Sequence, residues 1–171
     1  MPGPEDDDDA LLIRQAERRD AAELRDIYNH FVNNSTAIFD LVPRTIDEQA
    51  QWIDEHSGGH PAIVAVNRGR VVGFGSLSTF RERPAYSTTV EDSVYLLDAH
   101  QGLGIGRRVL EELLQLAEAH GFHSVIARIV GDNLASITLH ATCGFEIVGT
   151  EREVGRKFGK WLDVVEMQRM L

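Results

Sequence analysis

The chain is poor in the residues that staple, anchor or break a fold. Of its 171 residues one is cysteine, Cys143, and five are proline. A single thiol excludes an intrachain disulfide framework. No apolar run approaches the roughly 20 residues that a membrane-spanning helix needs. The start is acidic where a secretory leader is basic and then apolar, so a cytoplasmic location is expected. Basic residues are scarce too: 17 Lys and Arg stand against 27 Asp and Glu, a formal charge of −10. That balance excludes a general nucleic-acid binder, which needs a cationic footprint, and argues against docking on an anionic membrane. Metal patterns are missing as well. His56 and His60 have ligand-like spacing but sit in a turn and lack the glutamate of a metalloprotease helix, so no metal is expected.

What is present suits one domain. Apolar residues make up 43% of the chain, enough at this length for a core of its own. Residues 1–9 form an acidic tail in which Glu5 and Asp6 to Asp9 supply five negative charges. Its prolines and self-repulsion predict disorder. Residues 10–171 are then the folded domain, with no internal repeat or linker. Ala10 to Gln15 reads as a strand. Asp20 reads as the cap of a helix whose face is Leu24, Ile27, Tyr28 and Phe31. Thr45 and Glu48 have capping-box spacing before a stripe of Ile46, Ala50 and Ile53. Residues 62–66 and 71–79 read as a hairpin, and 88–96 as a strand. Residues 104–120 read as an amphipathic helix stopped at Gly121. A strand at 124–130, a short helix at 133–142 and strands at 145–150 and 161–167 complete the order. The last two strands are joined by an expected loop holding Gly155 and Gly159. The result is an α/β domain with a mixed central sheet of about seven strands and about four helices.

The chemistry concentrates in a glycine-rich turn, Gln101-Gly102-Leu103-Gly104-Ile105-Gly106-Arg107-Arg108. It lies between a strand and the strongest helix. Glycines let backbone amides approach a ligand closely, and a helix start adds free N–H groups with partial positive charge. That combination cradles phosphate. The spacing excludes the dinucleotide G-x-G-x-x-G, and the arginines after Gly106 exclude a P-loop. Q-x-x-G-x-G is left, which by itself also fits a plain tight turn.

In its context that turn resembles the acetyl-CoA pyrophosphate site of the GNAT acetyltransferase superfamily. The strand order is similar, and Asn133 through Phe145 resembles the family's helix beside the pantetheine arm. Six further segments resemble the phosphinothricin and methionine sulfone (sulfoximine) acetyltransferase branch. They are Tyr28-Asn29-His30, Ser35 to Phe39, Arg81-x-Arg83-Pro84-Ala85-Tyr86, Val90 to Tyr95, Leu139-His140 and Gly155 to Trp161. They run in order through nearly the whole chain after the tail.

The resemblance implies a GNAT fold and an acetyl-CoA-dependent N-acetyltransferase. Its acceptor is the α-amino group of a small amino-acid analogue: phosphinothricin, methionine sulfone or methionine sulfoximine. Acetyl transfer needs a group to deprotonate the amine, stabilisation of the carbonyl oxygen and departure of the thiolate. Glu91 is the implied general base; by spacing alone it reads equally as a strand residue facing water. Backbone N–H groups near Val94 and Tyr95 are implied to meet the oxygen, where the strand splays from its neighbour. Val94, Tyr95 and Leu96 are implied to pair with the pantetheine arm. Gln101, Gly102, Leu103, Gly104, Ile105, Gly106 and Arg107 are assigned to the pyrophosphate, and Asn133, Ser136 and Thr142 to the cofactor's side. His140 stands where most of the family has Tyr and is a candidate acid or proton relay; a histidine bonded to backbone is the plainer reading. Arg81 and Arg83, in an extended stretch, point the same way and suit an anionic acceptor. Glu82, Tyr86, Asp92, Ser93 and Phe39 join the acceptor side, though Phe39 reads equally as core. The branch implies a homodimer, with Phe158 to Trp161 near the contact. Two other readings are a protein or peptide N-acetyltransferase, which the arginine pair disfavours, and a non-catalytic acyl-CoA-binding module.

Overall fold

The computed structural model describes residues 11–171; the acidic tail of residues 1–9 lies outside them. Strand β1 (Leu12–Gln15) leads through a 3-10 turn into α1 (Ala21–Asn34) and α2 (Ile46–Glu55). Then come β2 (Ala62–Asn67), β3 (Arg70–Thr79), β4 (Thr89–Leu96), α3 (Ile105–Ala119), β5 (Ser124–Val130), α4 (Leu134–Thr142), β6 (Glu146–Lys157) and β7 (Lys160–Met170). The seven strands form one sheet ordered β1-β2-β3-β4-β5-β7-β6. Only β4 and β5 run parallel, as the intervening helix requires; every other pair is antiparallel.

The two faces carry separate cores. Beneath α3, Val109, Leu110, Leu113 and Ala117 pack on Leu77, Val90, Val125 and Ala127. Beneath α1 and α2, Leu24, Ile27, Phe31 and Ile53 pack on Val64 and Phe74. The approach of α3 is set by glycine. A Cβ on Gly75 would come within 2.7 Å of Val109 Cγ1 and 2.8 Å of Leu113 Cδ1. This contact fixes where the start of α3 lies relative to β4.

Four local expectations are corrected. Ile46 is 43% exposed, and Gln49 takes its place in the buried stripe of α2 with Ala50 and Ile53. Asp20 does not cap α1 with its side chain; it accepts from Arg14 at 2.7 and 2.8 Å and from the Glu17 amide. The charge of Arg14 outcompetes the free helix amides for that carboxylate. The loop expected between the last strands is a continuous hairpin instead, β6 and β7 turning at Phe158 and Gly159, both with positive φ. Gly155 is a strand residue there, because any side chain would overlap the Phe39 ring. Arg81 and Arg83 lie after β3 in an exposed turn before residues 84–86, not in a strand, so the strand period does not set their direction. Pro84 and the following 3-10 turn break the ladder there.

Candidate active site

Strand β4 alternates across the sheet. Val90 and Val94 face the core under α3, and Tyr95 faces the core under α1 and α2. By the same period Glu91 and Ser93 face α1 and α2, while Asp92 faces α3 and α4. The pairing of β4 with β5 runs from Thr89↔Ser124 to Asp92↔Ala127 and stops. Both strands continue, so they part. The β5 side of Ser93 to Leu96 is left without a strand partner. A cavity of about 50 Å³ opens in the split, lined by Ser93, Val94, Tyr95, Ala127, Asn133 and His140 among others. A larger cavity of about 270 Å³ lies away from it, beside Ile13, Ile63 and Leu116. Two of its polar residues are already engaged: Arg14 binds Asp20, and His120 binds the Leu116 carbonyl at 2.7 Å.

Glu91 sits one step before the last paired residue, at the root of the split. Burial pushes its carboxyl above the usual range; Arg128 opposes this, and Asp92 and Glu166 add to it. Arg128 is a residue that the sequence reading did not single out. It pairs with Glu151 and lies 3.5 Å from Glu166. The available signal was a lone charge in the otherwise apolar run Ser124–Val130.

His140 is buried, not free. Its Nδ1 lies 2.7 Å from the Ser136 carbonyl, so Nδ1 carries the proton and donates. Its Nε2 lies 2.9 Å from Asp92 Oδ2. Burial pulls the imidazole down, but the hydrogen bond and charge of Asp92 and the Ser136 carbonyl leave it raised overall. Asp92 also lines the split, from the α3 and α4 side of the strand. Its second oxygen, Oδ1, is buried without a partner among the described residues. Asn133 holds the start of α4 by accepting from the Ser136 amide at 3.2 Å. Thr142 is exposed and donates to the Leu139 carbonyl.

The glycine turn is open. Gly102 and Gly104 have φ of 74° and 79°, and a Cβ on either would meet nothing within 4 Å. Gly104 caps α3 without a side-chain bond, and the helix ladder takes hold where Arg108 N–H donates to Gly104 O at 3.2 Å. The first-turn amides ahead of it have no carbonyl of the helix to donate to. Gln101 braces the turn, donating to Leu96 O and Asp98 Oδ1, both at 3.1 Å. Gly106 lies against Leu139 and Arg107 pairs with Glu111. Leu103 is exposed and Ile105 is buried in the core. An amide-lined turn, a split β edge and an orphan acceptor at Asp92 together fit a long ligand with a diphosphate and an amide-bearing arm.

The acceptor-side residues are less gathered. Phe39 is 42% exposed and packs on Gly155. Arg81 stacks on Phe80 and Tyr86, at 4.8 and 5.4 Å from the ring centroids. Arg81, Glu82 and Arg83 are exposed and outside the lining of the split.

Comparison with known proteins agrees with this geometry. Residues 13–165 match the acetyltransferase (GNAT) domain family. An L-methionine sulfoximine/L-methionine sulfone acetyltransferase of Salmonella typhimurium is 38% identical, over 94% of this chain and 95% of its own. A phosphinothricin acetyltransferase of Sinorhizobium meliloti, solved in complex with acetyl-CoA, superposes with a TM-score of 0.91 at 39% identity, over 94% of this chain and 88% of its own. A ribosomal-protein-alanine N-acetyltransferase of Brucella melitensis gives 0.91 at 40% identity, over 94% and 99%. The split sheet, the open turn and a family match spanning nearly all the described residues lead to one conclusion: the chain belongs to the GNAT acetyltransferases and is an N-acetyltransferase that draws its acetyl group from acetyl-CoA.

Proposed function

We propose that the acceptor is the α-amino group of a small anionic amino-acid analogue such as methionine sulfone, methionine sulfoximine or phosphinothricin, with Glu91 as the base. The observation that carries this reading is the half-buried carboxyl of Glu91 at the root of the β4–β5 split. An ammonium has no lone pair, so it must lose its proton before attack. A carboxyl with a raised pKa takes that proton more readily than an exposed one. Free β4 amides beyond Ser93 offer donors where the carbonyl oxygen gains charge. The free first-turn amides would hold the diphosphate, Val94 to Leu96 the pantetheine arm, and Asn133 and Ser136 its far side. Arg81 and Arg83, with no ion-pair partner among the described residues, would meet the acceptor's anionic end. The protein works in the cytoplasm as a homodimer in this reading; no helix among the described residues is long and apolar enough to cross a membrane.

The second reading, a protein N-terminus as acceptor, draws on the Brucella neighbour. Thiol release from acetyl-CoA decides between them. Methionine sulfone and phosphinothricin should turn over, and Glu91→Gln should lower kcat by about 10²-fold or more. Turnover confined to peptides would overturn the small-acceptor reading, and an unchanged rate in Glu91→Gln would remove the base.

A further inference from the structure

His56 and Ser78 are half-buried polar partners on the same side of the sheet as Glu91, and the chemistry described above leaves them unused. His56 ends α2 and stacks on Trp52, ring centroids 4.0 Å apart. Its Nδ1 lies 2.8 Å from the Trp52 carbonyl. A carbonyl oxygen only accepts, so Nδ1 carries the ring proton. In the neutral ring Nε2 is then a lone pair. It lies 3.0 Å from Ser78 Oγ and takes the hydroxyl proton of that serine. Ser78 has one proton to give, and it is committed.

Ser78 is also the direct partner of Glu91 across the β3–β4 ladder. Side chains of such a pair leave the same face with Cβ atoms about 5 Å apart. The groups around Glu91 are Arg128 from β5, Glu166 from β7 and Asp92 beside it on its own strand. Tyr95 lies further along the same face of β4. His56 itself is held neutral by burial; Arg44 and His60 favour the neutral ring, while the Trp52 carbonyl and Glu55 oppose.

We propose that the His56–Ser78 pair is a positioning device for Glu91: it turns the serine so that only oxygen lone pairs face the carboxyl. This rests on Glu91 being the base. Lone pairs accept a proton-bearing group and give nothing to a carboxylate. They favour Glu91 once it has taken the proton of the amine, and they can accept from the incoming ammonium as well. Reversing the serine would stabilise the carboxylate and weaken the base. No atom is transferred through the pair; it sets the direction of one hydrogen bond.

The test is the acid limb of kcat/KM against pH, measured with methionine sulfone. His56→Phe keeps a ring on Trp52 but removes Nε2, which frees the serine proton to turn toward Glu91. Ser78→Ala removes the oxygen. Both should move the limb down by about half a unit to one unit, the size of one neutral hydrogen bond. Ser78→Thr keeps the hydroxyl and should restore the parent limb. A merely structural role would lower the melting temperature and leave the limb in place. A limb that vanishes in Glu91→Gln yet stays put in both Ser78→Ala and His56→Phe overturns the inference alone. A limb that persists in Glu91→Gln overturns the base assignment first.

Discussion

At the scale of single residues, the site is an arrangement of titratable groups on opposite faces of one strand. Glu91 and Asp92 are neighbours in sequence and are separated by the sheet. Glu91 is pushed up mainly by burial, whereas Asp92 is bonded to His140 on the other side. The His140–Asp92 pair makes a prediction about stability. The folded-state pKa of His140 is raised above its unfolded value, near 6.5. Its contribution is therefore fully present below the unfolded pKa and is lost as pH rises through the folded one. Urea midpoints of His140→Asn and the parent should differ most below the unfolded pKa, at about pH 5.5, and converge as pH rises. A difference that grows with pH would mean the ring is neutral in the folded state. His140 was legible as a candidate because it stands where most of the family has Tyr, and its bond to backbone was the plainer reading, but its bond to Asp92 was not legible. A hydrogen bond to a residue 48 positions away leaves no local trace in the chain.

At the scale of elements, the helices and strands follow from patterns that need only near neighbours. The capping box at Thr45 and Glu48 forms as its spacing implies. The apolar face of α3 forms as well, with Leu110, Leu113, Leu114 and Ala117 buried. What sequence could not give is where contacts override pattern. Gly155 reads as loop until Phe39 is seen lying on it, and Ile46 reads as buried until Gln49 is seen occupying that direction. Arg81 and Arg83 share a strand-like spacing, yet the turn at Pro84 separates them from the sheet. The parting of β4 from β5 is likewise a register property and has no residue signature of its own. The glycine turn is the element whose backbone shape was most readable. Gly104 has φ of 79° and caps α3 by backbone alone. A side chain there is strained by about 1 kcal/mol or more, and relief of that strain would rearrange the amides at the start of α3. Gly104→Ala should raise KM for acetyl-CoA about tenfold, while KM for the acceptor stays within about twofold. Isothermal titration with CoA gives the same comparison without turnover. Equal affinity in the variant would show that the amides of this turn do not carry the diphosphate.

At the scale of the whole molecule, the exposed apolar surface is unevenly spread. Val154, Phe158 and Trp161 on the β6–β7 hairpin are each more than half exposed, and so are Leu41 and Val42 between α1 and α2. The two segments are tied together. Buried Lys157 donates to the Ile38 carbonyl at 2.6 Å, and the Phe39 ring covers Gly155. In the homodimer proposed above, a second copy of the chain would cover this apolar surface. The tie gives pairing a consequence for the reaction. The segment held by Lys157 runs on to Asp40, which accepts from Tyr28, and to Arg44, whose guanidinium lies 3.6 Å from the Tyr28 ring centroid. Those residues lie on the same side of the sheet as Glu91, whereas the glycine turn lies at the start of α3. Trp161→Glu should therefore convert a dimer to a monomer in sedimentation equilibrium. It should raise KM for the acceptor severalfold more than KM for acetyl-CoA, because the buried charge of a carboxylate at the contact is not tolerated and the tied segment loses its backing. A parent protein that sediments as a monomer at micromolar concentration would leave the patch without this partner. A monomeric variant with both KM values unchanged would show instead that each subunit completes its acceptor side alone.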